Sequence, residues 1–306
     1  MKTTFKITQM IAVLFLFAAI SFTSCNKEIS DDNSLTPEEE TQASEYSSES
    51  DAEAEDVFSN LFDDVMGVND EVGMSGLGIF GQKAQDSPGE LNRTTACFTV
   101  IINRLNTPNV FPVEIVIDFG SGCVGRDGKT RSGKIKTTYT NRMVVPGAKA
   151  TTVFDGYKVN DISVHGTHVI TNTSTSDVRQ FTVVIEDAKL SNPNGNYSEW
   201  NSRKKFTQIH GLGTPNFPHD DIFKIEGSAS GKVKRGNVIV AWQNEITEPL
   251  IKKFSCRWIV KGTVKTWRRS SASTSPWIAV LDYGDVNCDN KATITINGVT
   301  KEISLR

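Results

Sequence analysis

Residues 291–304, KATITINGVTKEIS, decide the class of fold. ATITI and VTKEI alternate in side-chain character with a period of two, the spacing of a half-buried strand. Asn297-Gly298 between them is the pair that a two-residue type I′ turn demands, because both central positions need positive φ. The stretch therefore predicts an antiparallel hairpin. Working back from it, the same texture recurs as far as about residue 96: short runs rich in Val, Ile, Thr, Phe, Tyr and Trp, punctuated by Gly, Asn, Asp and Pro, with no helical period that survives. Strands are expected near 96–104, 112–119, 133–145, 150–158, 161–173, 178–189, 197–209, 221–233, 236–246, 253–267, 276–283 and in the final hairpin. Phe181, Val183 and Ile185 alternate with Thr182 and Glu186, so one face is covered and the other is wet. The connections are too short for helical crossovers, and several strands exceed ten residues. The predicted class is all-β: a large, twisted, antiparallel meander sheet, open or half-barrel-like, over residues 91–306.

Upstream of the sheet the composition changes. The net charge of −3 conceals a division: Asn26 to Glu71 holds sixteen acidic residues and one basic, whereas residues 72–306 hold 30 basic and 20 acidic. Residues 25–56 are rich in Ser, Thr, Glu and Asp and read as a disordered acidic tether, because so few apolar groups cannot offset the entropy of ordering. Within 57–90, Val57, Leu61 and Val65 lie four apart, and Phe58, Phe62 and Met66 repeat the spacing one residue on. A short amphipathic helix is expected there, with Ser50 or Asp51 as its cap. Its polar face is acidic, so it should dock on the domain rather than on lipid.

Residues 1–24 read as a signal peptide: Lys2 and Lys6 precede ten unbroken apolar residues, 11–20, a run too short to span a bilayer. The following Ser21-Phe22-Thr23-Ser24-Cys25 resembles the lipobox of bacterial lipoproteins, in the looser form common among Bacteroidota, with Phe22, Thr23 and Ser24 where the strict pattern has Leu, Ala and Gly or Ala. The resemblance implies acylation of Cys25, cleavage before it and attachment to the outer membrane. The competing reading is a plain secretory signal with an incidental cysteine. Asp31-Asp32 behind the cysteine looks like the signal for export to the outer leaflet, which favours surface display over the periplasm-facing leaflet. The bland alternative is that any tether needs acids for solubility.

Four cysteines remain. Reading 97–104 with 112–119, and 256–267 with 276–283, as hairpins brings Cys97 near Cys123 and Cys256 near Cys288. Closing loops of such length stabilises by roughly 3–4 kcal/mol in the chain-entropy account. A four-cysteine zinc site is the alternative, although no close cysteine pair is present. Asp118-Phe119-Gly120 and Asp282-Tyr283-Gly284 each shortly precede the second cysteine, as an internal duplication would leave them. The stretches DFGSGCVGRDGKTRSGKI (118–135), DDIFKIEGSASGKVKRG (220–236), EPLIKKFSCRWIVKGTV (248–264) and LDYGDVNCDNKATITING (281–298) resemble a group of uncharacterised, Flavobacteria-type Bacteroidota lipoproteins. The resemblance covers most of the chain after residue 90. It implies lipidation and an all-β domain and brings no catalytic residue with it.

Reactive motifs are sparse. His165 and His168 are three apart in a predicted strand and face opposite ways unless Gly166 makes a bulge. His210, His219, Asp220 and Asp221 surround a Gly/Pro-rich loop, where side chains could converge or the segment could be a plain connector. Asp285, Asn287 and Asp289 open like a calcium loop, but Asn290 and Ile296 stand where Gly and Glu are needed. Gly73-Met74-Ser75-Gly76-Leu77 lacks the last glycine of a nucleophile elbow. No phosphate-binding loop or zinc-protease motif occurs, so no cofactor, resident metal or catalytic residue is expected. A carboxylate pair leaves no local motif, and a surface hydrolase acting on glycans stays open as an alternative. All five tryptophans fall within 200–277 among basic residues. Trp200, Trp242, Trp267 and Trp277 are candidate ligand-binding residues for a glycan or lipid, against the alternative that they and Trp258 fill the core. Nucleic acid is not an expected partner of an exported, weakly acidic protein. The sequence therefore predicts a non-enzymatic binding or structural lipoprotein, with a lipid-handling half-barrel as the other alternative.

Overall fold

The computed structural model describes residues 27–29, 35–68, 93–94, 97–125, 127–214, 217–270 and 278–305. In chain order the elements are β1 (Lys27–Ile29), α1 (Pro37–Met66), β2 (Arg93–Thr94), β3 (Thr99–Arg104), β4 (Val113–Asp118), β5 (Cys123–Val124), β6 (Thr130–Tyr139), β7 (Lys149–Val159), β8 (Ile162–Asn172), β9 (Gln180–Ser191), β10 (Tyr197–His210), β11 (Ile222–Arg235), β12 (Val238–Lys253), β13 (Ile259–Arg268), β14 (Ala279–Asp285), β15 (Lys291–Ile296) and β16 (Val299–Ser304). Fourteen of these strands follow one another as neighbours from β16 to β2 in a single sheet. β5 pairs with β6 off that path, and β1 runs parallel beside residues 238–240. The remaining pairs are antiparallel, as expected for a meander, and no described pairing joins the two ends of the path.

The strand positions follow the alternation in the sequence closely. The main departure is β12, which continues through Pro249 to Lys253 where a break after 246 is expected. It survives because the register against β13 slips repeatedly between Ile246 and Lys252, and a proline is tolerated at such irregularities.

The sheet bends along a line of such slips. They occur between Ser132 and Lys134, between His165 and Thr167, between Ile225 and Ser228, and between Lys261 and Thr263. Each bulge adds local twist, so the line curls the whole sheet. Two glycines show why the residue type matters. At Gly166 (φ +120°) an added Cβ would lie 2.6 Å from the Cα of Ala188, and at Gly227 (φ +142°) 2.3 Å from the carbonyl oxygen of Arg203.

Helix α1 lies in the resulting hollow. It starts 20 residues before the predicted one, so the tether expected over 25–56 is corrected for residues 37–56, which are helix, and for Lys27–Ile29, which is strand. The cap is Thr36, not Ser50 or Asp51. Thr36 and Glu39 form a capping box, Pro37 occupies the first turn, Glu38, Glu39 and Glu40 complement the helix dipole, and Gly67 ends the helix in the left-handed conformation. The C-terminal turns bring an aromatic ladder to the sheet. Phe58 stacks on Trp200 at 5.5 Å and meets Phe154 and His168, while Phe62 sits 4.5 Å from Phe206 and touches Phe181, Phe223 and Phe254. Tyr139 on β6 donates to the carbonyl of Val65 at 2.7 Å. A helix about 10 Å across is thus touched from β6 through β12, which requires the sheet to wrap around it. Among the described residues no helix is long and apolar enough to cross a membrane.

Candidate functional site

The inner face of the sheet is matched in charge to the helix. α1 carries eleven acidic residues and no base. On the sheet side, Arg268 holds Glu40 through two bonds of 2.6 and 3.1 Å, Arg235 holds Glu53 at 3.1 Å, Lys129 holds Asp56 at 3.2 Å and Lys252 holds Asp63 at 2.7 Å. Lys204 pairs with Glu55, Lys301 pairs with Glu45, and Trp200 Nε1 donates to Asp51 at 2.8 Å. Burial raises the Asp63 carboxyl to about 7, an effect that Lys252 only partly offsets. The apolar hollow in which a lipid carrier would hold acyl chains is therefore filled by the chain's own helix.

Both expected disulfides are present. Cys97–Cys123 and Cys256–Cys288 have Cα separations of 5.2 and 5.7 Å. Their surroundings repeat in detail. Asp118 Oδ1 accepts from Gly120 N at 2.9 Å and Asp282 Oδ1 from Gly284 N at 2.8 Å, each glycine has positive φ, and Phe119 and Tyr283 are buried. Beyond each second cysteine an aspartate accepts the backbone N–H two residues on, Asp127 from Lys129 and Asp289 from Lys291, and a strand begins. The two corners are also linked. Lys252 Nζ donates to the carbonyls of Cys256 and Arg257, and Asp127 accepts two bonds from Arg131 and one of 3.1 Å from Arg257. Burial alone would raise the Asp127 carboxyl, but the Arg131 guanidinium holds it down at about 2.

The reactive residues singled out in the sequence do not converge. Gly166 does form a bulge, yet His165 remains exposed on the outer face while His168 is fully buried against Phe58 on the inner one. Burial pushes the His168 imidazole down to about 3. His210 Nδ1 lies 3.0 Å from the carbonyl oxygen of Asp220, Thr214 donates to Asp220 Oδ2 at 2.7 Å, and Gln208 donates to Asp221 Oδ1 at 2.7 Å. These bonds tie a turn around the short 3₁₀ helix Pro218–Asp220. Burial raises Asp221 to about 7. Asp285 pairs with Lys261, and Asp289 serves its turn as described. Among the described residues no three His, Cys, Asp or Glu side chains gather to hold a metal. Cys25 and the segment Gly73 to Leu77 lie outside the described residues.

The tryptophans correct the expectation of a stacking face. Trp200 and Trp242 are buried on the inner side, Trp258 packs partly buried under Arg257, and Trp277 lies outside the described residues. Trp267 differs. It pairs in register with Gln243 on the outer face, is 8% exposed, and its Nε1 has no partner among the described residues. It lines an open groove of about 660 Å³ across β9 to β13. Two rows of side chains floor the groove: Arg203, Ser228 and Glu245 in one, Asn201, Ser230 and Gln243 in the other. The bulge beside it is held by Asn201 Oδ1, which accepts from Asp187 N at 2.9 Å. Sequence reasoning pointed to Trp267 and, as one of the basic residues around the tryptophans, to Arg203, and missed the others, because polar residues on the wet face of a strand carry no local signal. Compared with protein-family models, curated proteins and solved structures, the chain matches none.

Proposed function

We propose that this chain is a lipid-anchored envelope lipoprotein of the Bacteroidota type, held on the outer membrane through acylated Cys25, whose sheet is a non-enzymatic binding scaffold. The observation that carries the reading is the filled interior. With α1 seated in the hollow and ion-paired along its length, the centre of the hollow is taken, and a ligand is left the outer face of the sheet, its loops and the clefts along the rim of the helix. This counts against the lipid-handling alternative. Export is supported by the two disulfides, which suit an oxidising compartment, and anchoring by the lipobox-like residues 21–25. One acyl chain binds membranes only marginally, so the reading calls for multiple acylation at Cys25. Asp31-Asp32 supports display on the cell surface.

The test is metabolic labelling with radiolabelled palmitate, comparing the native chain with Cys25→Ser. The native chain is expected to take the label and sediment with envelopes, and the variant to do neither. A variant that sediments equally well overturns the anchor. Protease shaving of intact cells should degrade the protein if it is surface-displayed. Turnover in a screen of glycan substrates would overturn the non-enzymatic part.

A further inference from the structure

We propose that the groove on the outer face is a binding site for a short, neutral saccharide chain, a reading that rests on the outer face being the binding surface. The argument starts from what the groove offers. The side chains of Arg203, Ser230, Gln243 and Glu245 form no hydrogen bond or ion pair with the described residues, although each points to the same side of the sheet. Guanidinium, hydroxyl, amide and carboxylate together present donors and acceptors in planar pairs, the arrangement that vicinal sugar hydroxyls satisfy, since each hydroxyl both donates and accepts. Trp267, although 8% exposed, lines the groove and gives it an aromatic edge against which a sugar C–H face can pack.

The other ligand classes fit less well. Among the lining residues Arg203 stands against Glu245 and Glu186, and Lys265 pairs in register with Glu245 at the rim, so the groove has no excess of cations to hold a polyanion. Val184 is its only aliphatic outer-face side chain among the described residues, which leaves nothing to hold an acyl chain. β10, β11 and β12 are paired on both sides, so no open strand edge is offered for a peptide to extend. Dimensions agree as well. The two rows lie two residues apart along the strands, roughly 7 Å, and β9 to β13 span four strand spacings, roughly 19 Å, the footprint of a short oligosaccharide rather than of a monosaccharide.

The test is isothermal titration of the full lipidated chain in a detergent without a sugar headgroup, using cellohexaose, maltohexaose, xylohexaose and chitohexaose, with heparin as the anionic contrast. At least one neutral hexasaccharide is expected to bind with Kd below roughly 1 mM. Ser230→Leu, which fills the groove from a serine that holds nothing else in place, and Gln243→Ala should each weaken it by about tenfold or more, a change of about 1.4 kcal/mol. Trp267→Ala should abolish binding, but the two smaller variants decide the matter if it fails to fold. Binding to none of the four, binding to heparin alone, or binding unaltered by Ser230→Leu and Gln243→Ala overturns the proposal. Cys25→Ser should leave saccharide binding intact, so a failure of anchoring and a failure of this site are told apart.

Discussion

The two halves of α1 are buried in the same hollow by different physics. From Val57 to Met66 the helix presents Phe58, Leu61, Phe62, Val65 and Met66 to a ring of phenylalanines on β9, β10, β11 and the turn after β12. From Pro37 to Asp56 its buried apolar residues are alanines, and the groups taken from water include Glu40, Asp51, Glu55, Asp56 and several serines. The first half to be docked by area alone is therefore the C-terminal one. The N-terminal half is tolerated because each buried carboxylate meets a cation or a donor on the sheet. Buried ion pairs of this kind often add little net stability, since desolvation consumes much of the attraction, but they specify where the helix lies. The comparison assigns stability to the aromatic half and register to the acidic half.

The largest expected effect breaks the aromatic half. Phe62→Ala should cost about 3–5 kcal/mol in denaturant unfolding, because four ring contacts are lost and a cavity is left. Ser48→Ala, in the acidic half, removes a buried hydroxyl that has no partner among the described residues and should be close to neutral. Equal losses at the two sites would contradict the assignment. Next comes the charge match. Lys204→Met leaves Glu55 buried without its cation and should cost about 3 kcal/mol, while adding Glu55→Leu in the same chain should restore most of it. A double variant no better than the single one would mean that the pair stabilises in its own right.

A pH series sharpens the comparison further. Asp63 is raised to about 7 in the folded chain, so its contribution is fully present below the unfolded value near 4 and is lost as pH rises toward 7. Asp127, held at about 2, behaves in the opposite sense: its contribution is present above about 4 and is lost as pH falls toward 2. Thermal midpoints for Asp63→Asn should therefore lose part of the native decline between pH 4 and 7, and those for Asp127→Asn part of the decline between pH 4 and 2. The smallest effect is at the cap. Thr36→Ala removes the acceptor for Glu39 N and should cost about 1 kcal/mol.

The start of α1 was legible in principle. Thr36-Pro37-Glu38-Glu39 is a capping box with proline in the first turn, a signal that needs no tertiary knowledge. It was outweighed by the density of acids that follows, because an amphipathic pattern counts apolar residues and is blind to a polar face that finds charged partners. Those partners are remote: Trp200 lies 149 residues from Asp51, Arg235 182 from Glu53 and Arg268 228 from Glu40. The tryptophans show the converse. Trp200 shares its face with Phe206 in an unbroken alternation and meets the helix, whereas Trp267 shares its face with Lys265 and lines the groove; both are nearly buried, and only the assembled sheet decides which of its faces the helix covers.

The amino-acid sequence by itself determined the strands, their antiparallel order and the two disulfides. These rest on side-chain alternation, turn chemistry and short loop closure, all of which act between residues close along the chain. Only the tertiary structure decided how far the sheet curls, that an acidic helix fills the hollow, and that Trp267 and its polar neighbours share a groove. Those outcomes depend on small register slips added across many strands and on charges brought together from distant parts of the chain.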